Sequence, residues 1–265
     1  METIEIGKRR LAYLRRGDCG PVLMLVHGFP LDHTMWKFQI EAFADRCRVI
    51  AVDLRGFGES SSQDETVTME RYADDCALLL DDLEIREPIT YCGLSMGGYV
   101  GWQFWKRHRP RLERFVLCDT KAKADNDEVA RGRQRMAYEV LAKGAGIVVD
   151  SMLPRLFAPA TFRNHPERVA DLERVMRATS PSAIAAALRG MASRMDVTGW
   201  LASIELPTLV ICGVEDEISR PEEMEAIAGA MPAARFVCLP EAGHMSPLEN
   251  PDAFNRSLEA FLFSV

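Results

Sequence analysis

Gly93-Leu94-Ser95-Met96-Gly97 is the stretch that most constrains what this chain can become. Residues 88–92 before it are short, β-branched and aromatic, as a buried strand would be. Residues 98–105 after it are apolar enough for a buried helix. A strand that gives way to a helix this sharply forces the residue at the turn into strained backbone geometry. Glycines on either side admit the close approach of strand and helix. The Ser95 hydroxyl is then held clear at a helix N-terminus, where backbone N–H groups and the helix dipole favour negative charge. That is a position for a nucleophile in acyl transfer. A glycine-rich turn with a passenger serine is the plainer alternative.

A serine nucleophile needs a base, and the base needs an orienting acid. Downstream, an apolar strand over residues 206–212 runs through Gly213 into Val214-Glu215-Asp216. A further strand over 235–240 leads into Glu241-Ala242-Gly243-His244, with a helix beyond. Asp216 and His244 therefore both follow C-terminal strand ends, where open parallel sheets place their sites. Upstream, residues 21–26 run into His27-Gly28-Phe29-Pro30. The backbone amides of Phe29 and of Met96, the residue after the serine, can serve as paired oxyanion donors. Asp119 ends the strand after the elbow helix and competes with Asp216 as the acid. His33, His108 and His165 are weaker candidates for the base: His108 suits a helix C-terminus, His165 precedes a proline, and His33 lies just beyond the oxyanion loop. His27 shapes its own loop, and Asp53 and Arg55 brace theirs. Arg131, Arg133 and Arg135 read as a solvated helix face.

Taken in order, five motifs resemble the α/β-hydrolases of the capped, cofactor-free esterase type. They are His27-Gly28-Phe29-Pro30, the loop Asp53-Leu54-Arg55-Gly56-Phe57-Gly58-Glu59-Ser60, the Ser95 elbow, Gly213-x-x-Asp216 and Gly243-His244. The resemblance covers nearly the whole chain. It implies an α/β fold with an eight-stranded, mostly parallel sheet flanked by helices and carrying an inserted helical cap. It also favours Asp216 over Asp119, giving a Ser95, His244, Asp216 triad. The reaction it implies is cleavage of small to medium carboxylic esters or lactones through an acyl-enzyme, with no metal and no organic cofactor. Relatives with the same triad cleave carbon–carbon bonds or make peracids, and some proteins of this fold are slow-turnover ligand sensors. Serine rather than aspartate at position 95 argues against dehalogenase and epoxide hydrolase chemistry.

The chain-wide pattern agrees. Strands are predicted near residues 3–8, 10–16, 21–26, 47–53, 88–93, 113–119, 207–213 and 235–239, with helices over 34–44, 70–83, 97–108, 221–230 and 251–263. Their alternation calls for a mostly parallel sheet covered on both faces. Between Lys121 and Asp196 helical segments replace strands. This divides the chain into a core of residues 1–121 and 197–265 and a cap of 122–196. The cap is net basic and the remainder net acidic. Within it Ile184, Leu188, Met191 and Met195 share one helical face, and Met152, Leu156, Leu188 and Met191 are candidates to line an acyl pocket.

A net charge of −7 argues against nucleic acid as a partner. No apolar run approaches the length of a membrane span, and the first ten residues lack the apolar segment of a signal peptide. Seven cysteines without paired short spacing point to thiols in a reducing cytoplasm, with Cys92, Cys118, Cys212 and Cys238 buried in or beside strands.

Overall fold

A computed structural model describes residues 1–7 and 9–263. Lys8, within the first predicted strand, lies outside the described residues. The hairpin is β1 (Glu2–Ile6) and β2 (Arg9–Arg16), followed by β3 (Val22–Val26). A 3₁₀ turn over His33–Trp36 leads into α1 (Lys37–Phe43), so the single helix predicted there begins as a tighter coil. Then come β4 (Arg48–Asp53), α2 (Met69–Asp82), β5 (Ile89–Leu94), α3 (Met96–His108) and β6 (Leu112–Cys118). Five helices follow without a strand: α4 (Asp127–Lys143), α5 (Gly146–Leu156), α6 (Pro159–Asn164), α7 (Pro166–Ala178) and α8 (Pro181–Ala192). The chain closes with β7 (Thr208–Gly213), α9 (Pro221–Gly229), β8 (Ala234–Leu239), α10 (Ser246–Glu249) and α11 (Pro251–Leu262).

The eight strands form one sheet in the order β1-β2-β4-β3-β5-β6-β7-β8. Pairing is antiparallel for β1/β2 and β2/β4 and parallel for every pair from β4 to β8. The chain leaves β3 toward one edge and returns to β5 on the other side. The strand order therefore reverses between β3 and β5, the crevice where open α/β sheets place ligands. The segments after these two strands carry Phe29 and Ser95.

All five residues of β3 are buried, because helices cover both faces of the sheet. Val22, Met24 and Val26 pack on the face that also holds Tyr72, Leu80 and Tyr99, whereas Leu23 and Leu25 pack with Trp36 and Phe254 on the other. Helix α2 starts where the Thr68 side chain accepts from the Arg71 amide at 3.3 Å, and it buries Tyr72, Cys76, Leu79 and Leu80. Helix α11 starts on Asn250, with Pro251 at its first position, and buries Phe254, Leu258, Phe261 and Leu262 at helical spacing. Among the described residues no helix is long and apolar enough to cross a membrane.

Three side chains differ from expectation. Met195 is 48 % exposed, because α8 ends at Ala192 and the helical face does not extend that far. Cys238 is exposed because β8 is an edge strand with no neighbour beyond it, whereas Cys92, Cys118 and Cys212 are buried. Arg133 turns inward to pair with Asp125 at 2.6 Å, while Arg131 and Arg135 remain solvated.

Behind the 53–60 loop, Arg55 is buried against Asp75, with Nε donating to Oδ2 at 2.7 Å and Nη2 to Oδ1, and Nη1 reaches Asp64 at 2.9 Å. Removing one partner of such a pair strands the other charge in the interior. Arg55→Ala leaves the buried Asp75 carboxylate without its ion partner and should lower stability by about 3–5 kcal/mol, measurable by urea unfolding. A loss typical of a surface pair would contradict the burial argument.

Candidate active site

Ser95 sits between β5 and α3 with φ +54° and ψ −110°, a left-handed value rare for a residue with a side chain. The surroundings enforce it. A Cβ on Gly93 would fall 2.4 Å from the Gly97 carbonyl oxygen, and one on Gly97 would fall 2.3 Å from the Val26 carbonyl oxygen. The elbow is also tied down from outside. The Ser95 amide donates to Cys118 O at 2.9 Å, Thr120 Oγ1 donates to Ser95 O at 2.7 Å, and the buried Tyr91 hydroxyl donates to Gly97 O at 2.8 Å. The turn is therefore a strained conformation held by strands on both sides.

The 27–33 loop comes alongside. A methyl group on Gly28 would lie 3.4 Å from Ser95 Cβ. His27 is fully buried, and burial holds its imidazole below the usual range despite the Gly28 hydrogen bond. Its Nδ1 meets Gly28 O at 2.8 Å and its Nε2 accepts from Leu54 N at 2.9 Å, so a neutral ring staples two loops. Thr179 Oγ1, from the link between α7 and α8, donates to Pro30 O at 3.2 Å. The amides of Phe29 and Met96 donate to no acceptor among the described residues. The Met96 amide opens α3, whose unpaired N–H groups suit an anion.

Asp216 and His244 are brought together, with His244 Nδ1 and Asp216 Oδ2 2.8 Å apart and both residues buried. The other oxygen, Asp216 Oδ1, accepts from Ile218 N at 2.7 Å and Ser219 N at 3.0 Å. Burial pushes this carboxyl up, but His244 and the two amides outweigh it and hold Asp216 below the usual carboxylate range. With the carboxylate facing Nδ1, the imidazole proton belongs on Nδ1 and a lone pair on Nε2. The two loops are knitted at the backbone. Val214 N donates to Leu239 O at 2.9 Å, Glu215 N donates to Ala242 O at 2.9 Å, and a Cβ on Gly213 would lie 2.2 Å from Ala242 O. Ser95 stands on the same sheet edge, but no hydrogen bond joins its hydroxyl to His244 among the described residues.

Asp119 lies beside the His244–Asp216 pair, with no hydrogen bond to the imidazole among the described residues. Its Oδ1 accepts from Gly213 N at 2.9 Å and its Oδ2 from Ser246 Oγ at 2.5 Å. Complete burial, and then the Asp216 charge, push its carboxyl well above the usual range. His33 pairs with Asp53 at 2.8 Å, His108 with Asp74 at 2.8 Å, and His165 lies 3.4 Å from Glu167. Potential ligand atoms of Asp32, His33 and Asp53 lie within 4.8 Å of one another, but His33 Nδ1 is already committed to Asp53. A cleft of about 610 Å³ opens beside them, lined by Glu59, Ser61, Thr179 and Ser182 among others, and by none of Ser95, Asp216 and His244.

The four pocket candidates divide. Leu188 and Met191 share a buried cluster with Phe29 and Met96. Leu156 belongs to the cluster of Leu94 and Met245, and half-buried Met152 packs against both. Sequence reasoning passed over Glu249, a buried carboxylate that accepts from the amides on either side of His244. Its signal was an acid five residues past the histidine in an otherwise apolar stretch.

Residues 21–251 match the family model of the alpha/beta hydrolase fold. The chain belongs to that family. It is similar to 3-oxoadipate enol-lactonase 2 of Acinetobacter baylyi, 30% identical over 243 residues that cover 91% of this chain and 88% of the relative. A thermophilic esterase from Thermogutta terrifontis, solved with malate bound, superposes with a TM-score of 0.96 at 43% identity, covering 99% of this chain and 98% of that one. The enol-lactonase of Burkholderia xenovorans LB400 superposes with a TM-score of 0.91 at 30% identity, covering 98% and 99% respectively. Their shared architecture is the eight-stranded, mostly parallel sheet described above.

Proposed function

We propose that this α/β-hydrolase cleaves small to medium carboxylic esters or lactones through an acyl-enzyme on Ser95. The observation that carries the reading is the buried His244–Asp216 hydrogen bond, on the sheet edge that also presents Ser95 at positive φ. The esterase and enol-lactonase relatives support the same reaction class.

In this mechanism His244 Nε2 takes the Ser95 proton as Oγ attacks the acyl carbonyl. Asp216 keeps the imidazole in the Nδ1–H tautomer and stabilises its cation. The Phe29 and Met96 amides bind the oxyanion, aided by the N-terminus of α3. The protonated His244 then gives its proton to the leaving alkoxide. Water, deprotonated by the same ring, releases the acid and restores Ser95. Every proton shuttles through one imidazole, and the chain's own groups supply each step.

Residues 122–196 form the cap in this reading. Met152, Leu156, Leu188 and Met191 bound its acyl side, where added methylenes meet packed side chains. Aryl butanoates should therefore be hydrolysed faster than aryl dodecanoates. Overfilling a packed site costs about 1–3 kcal/mol, so kcat/KM should fall roughly tenfold or more. A preference for insoluble long-chain triglycerides, with activation at the oil surface, would contradict this cap.

A further inference from the structure

We propose that Glu249 is a positioning residue for His244, clamping the peptide groups on both sides of the histidine and anchoring them to the helical insert. The inference rests on the reading of His244 as the base. Glu249 belongs to α10, five residues beyond His244, and is buried. Its Oε1 accepts from Gly243 N at 2.8 Å and Met245 N at 3.1 Å. Its Oε2 accepts from Ala158 N at 2.7 Å and Thr161 Oγ1 at 2.7 Å, at the start of α6. One carboxylate thus grips His244 fore and aft with one oxygen and the insert with the other.

The chemistry of this arrangement singles out an acceptor-only group. Four donors converge, three of them backbone N–H groups that cannot reverse their role. Burial pushes the Glu249 carboxyl up, while these four hydrogen bonds act against it. Among the described residues no cation is bonded to the carboxylate, and its partners are dipoles that point at it from two separate segments. The insert adds one more link, because Met245 N also donates to Leu156 O at 3.1 Å. On the opposite side, Asp119 holds Ser246. The His244 loop is therefore pinned at residues 243, 245 and 246, which fixes the point from which the imidazole reaches Asp216. Among the described residues no hydrogen bond joins the Glu249 carboxylate to Asp216 or to the imidazole, so its effect passes through the backbone.

Glu249→Gln tests this. The volume is kept, but one end of the amide becomes a donor. Turned toward Gly243 and Met245 it repels the loop; turned toward Ala158 it repels the insert. Misplacing a catalytic group by about an ångström costs on the order of 10²-fold. We expect kcat for an aryl butanoate to fall by about that factor with KM nearly unchanged. Fluorophosphonate inactivation should slow in parallel, and the downfield proton resonance of the His244–Asp216 hydrogen bond should shift or broaden. Thr161→Val removes one donor on the insert side alone. It should give a smaller loss of kcat and move the same resonance, and Thr161→Ser should restore both. A folded Glu249→Gln protein with wild-type kcat, or with an unmoved resonance, would overturn the proposal. So would a lower melting temperature as its sole effect. If Glu249→Gln does not fold, Thr161→Val decides, and wild-type kcat and resonance there overturn it. Failure of fluorophosphonate to label the wild-type protein at Ser95 would instead remove the serine hydrolase reading on which the proposal rests.

Discussion

Ser95→Ala is expected to lose ester turnover by about 10⁶-fold in kcat while its melting temperature stays near that of the parent. The loss is large because no other side chain at the elbow can form the acyl-enzyme. The fold survives for two local reasons. Alanine keeps the Cβ already tolerated at φ +54°, so the backbone strain is unchanged. Ser95 makes no side-chain capping hydrogen bond to α3, so no helix cap is removed. A residual rate above the uncatalysed reaction should persist from the Phe29 and Met96 amides and from substrate binding. Circular dichroism with steady-state kinetics on an aryl butanoate checks both halves. Full activity in Ser95→Ala would move the nucleophile elsewhere.

Asp216→Asn should cost roughly 10²–10⁴ in kcat. The amide can present its N–H₂ to His244 Nδ1, which places the imidazole proton on Nε2, the atom needed as acceptor. Asp119→Asn should cost much less, because Asp119 is bonded to Gly213 N and Ser246 Oγ and not to the imidazole. If Asp119→Asn proves crippling and Asp216→Asn mild, the acid must be reassigned. The two carboxyls also leave opposite marks on stability against pH. Asp216 is held below its usual range, so its contribution is present above the unfolded-state pKa and is lost as pH falls through the folded one. The stability difference between the parent and Asp216→Asn should therefore shrink in the acid range. Asp119 is raised instead, so its proton favours the fold at low pH and that contribution is lost as pH climbs through its elevated value. Urea unfolding at a series of pH values separates the two.

Much of this is legible in the sequence because strand-turn-helix junctions leave local marks. Gly93 and Gly97 are required by close backbone approach, so the elbow announces itself in five letters. The strands are legible for a similar reason, since β3, β5 and β7 are buried on both faces and read as short, largely apolar runs. What escaped depends on partners distant in the chain. Glu249 looks like one more surface acid until α6 is folded over it, and Ala158 is 91 residues away. Arg133 reads as a solvated arginine until Asp125 turns toward it. The thiol of Cys238 depends on β8 being the last strand, which no local pattern reveals. Asp119 and Asp216 are near-equivalent acids at strand ends, and the hydrogen bond to His244 is what tells them apart.

Intact-protein mass spectrometry after fluorophosphonate treatment is the decisive test of a covalent acyl intermediate on Ser95. Ser95 Oγ would displace fluoride at phosphorus, with His244 accepting the hydroxyl proton. The expected result is one adduct per chain, mapped by peptide fragmentation to Ser95, formed in step with loss of esterase activity and absent in Ser95→Ala. An active enzyme that remains unlabelled, or that carries its adduct on another residue, would contradict it.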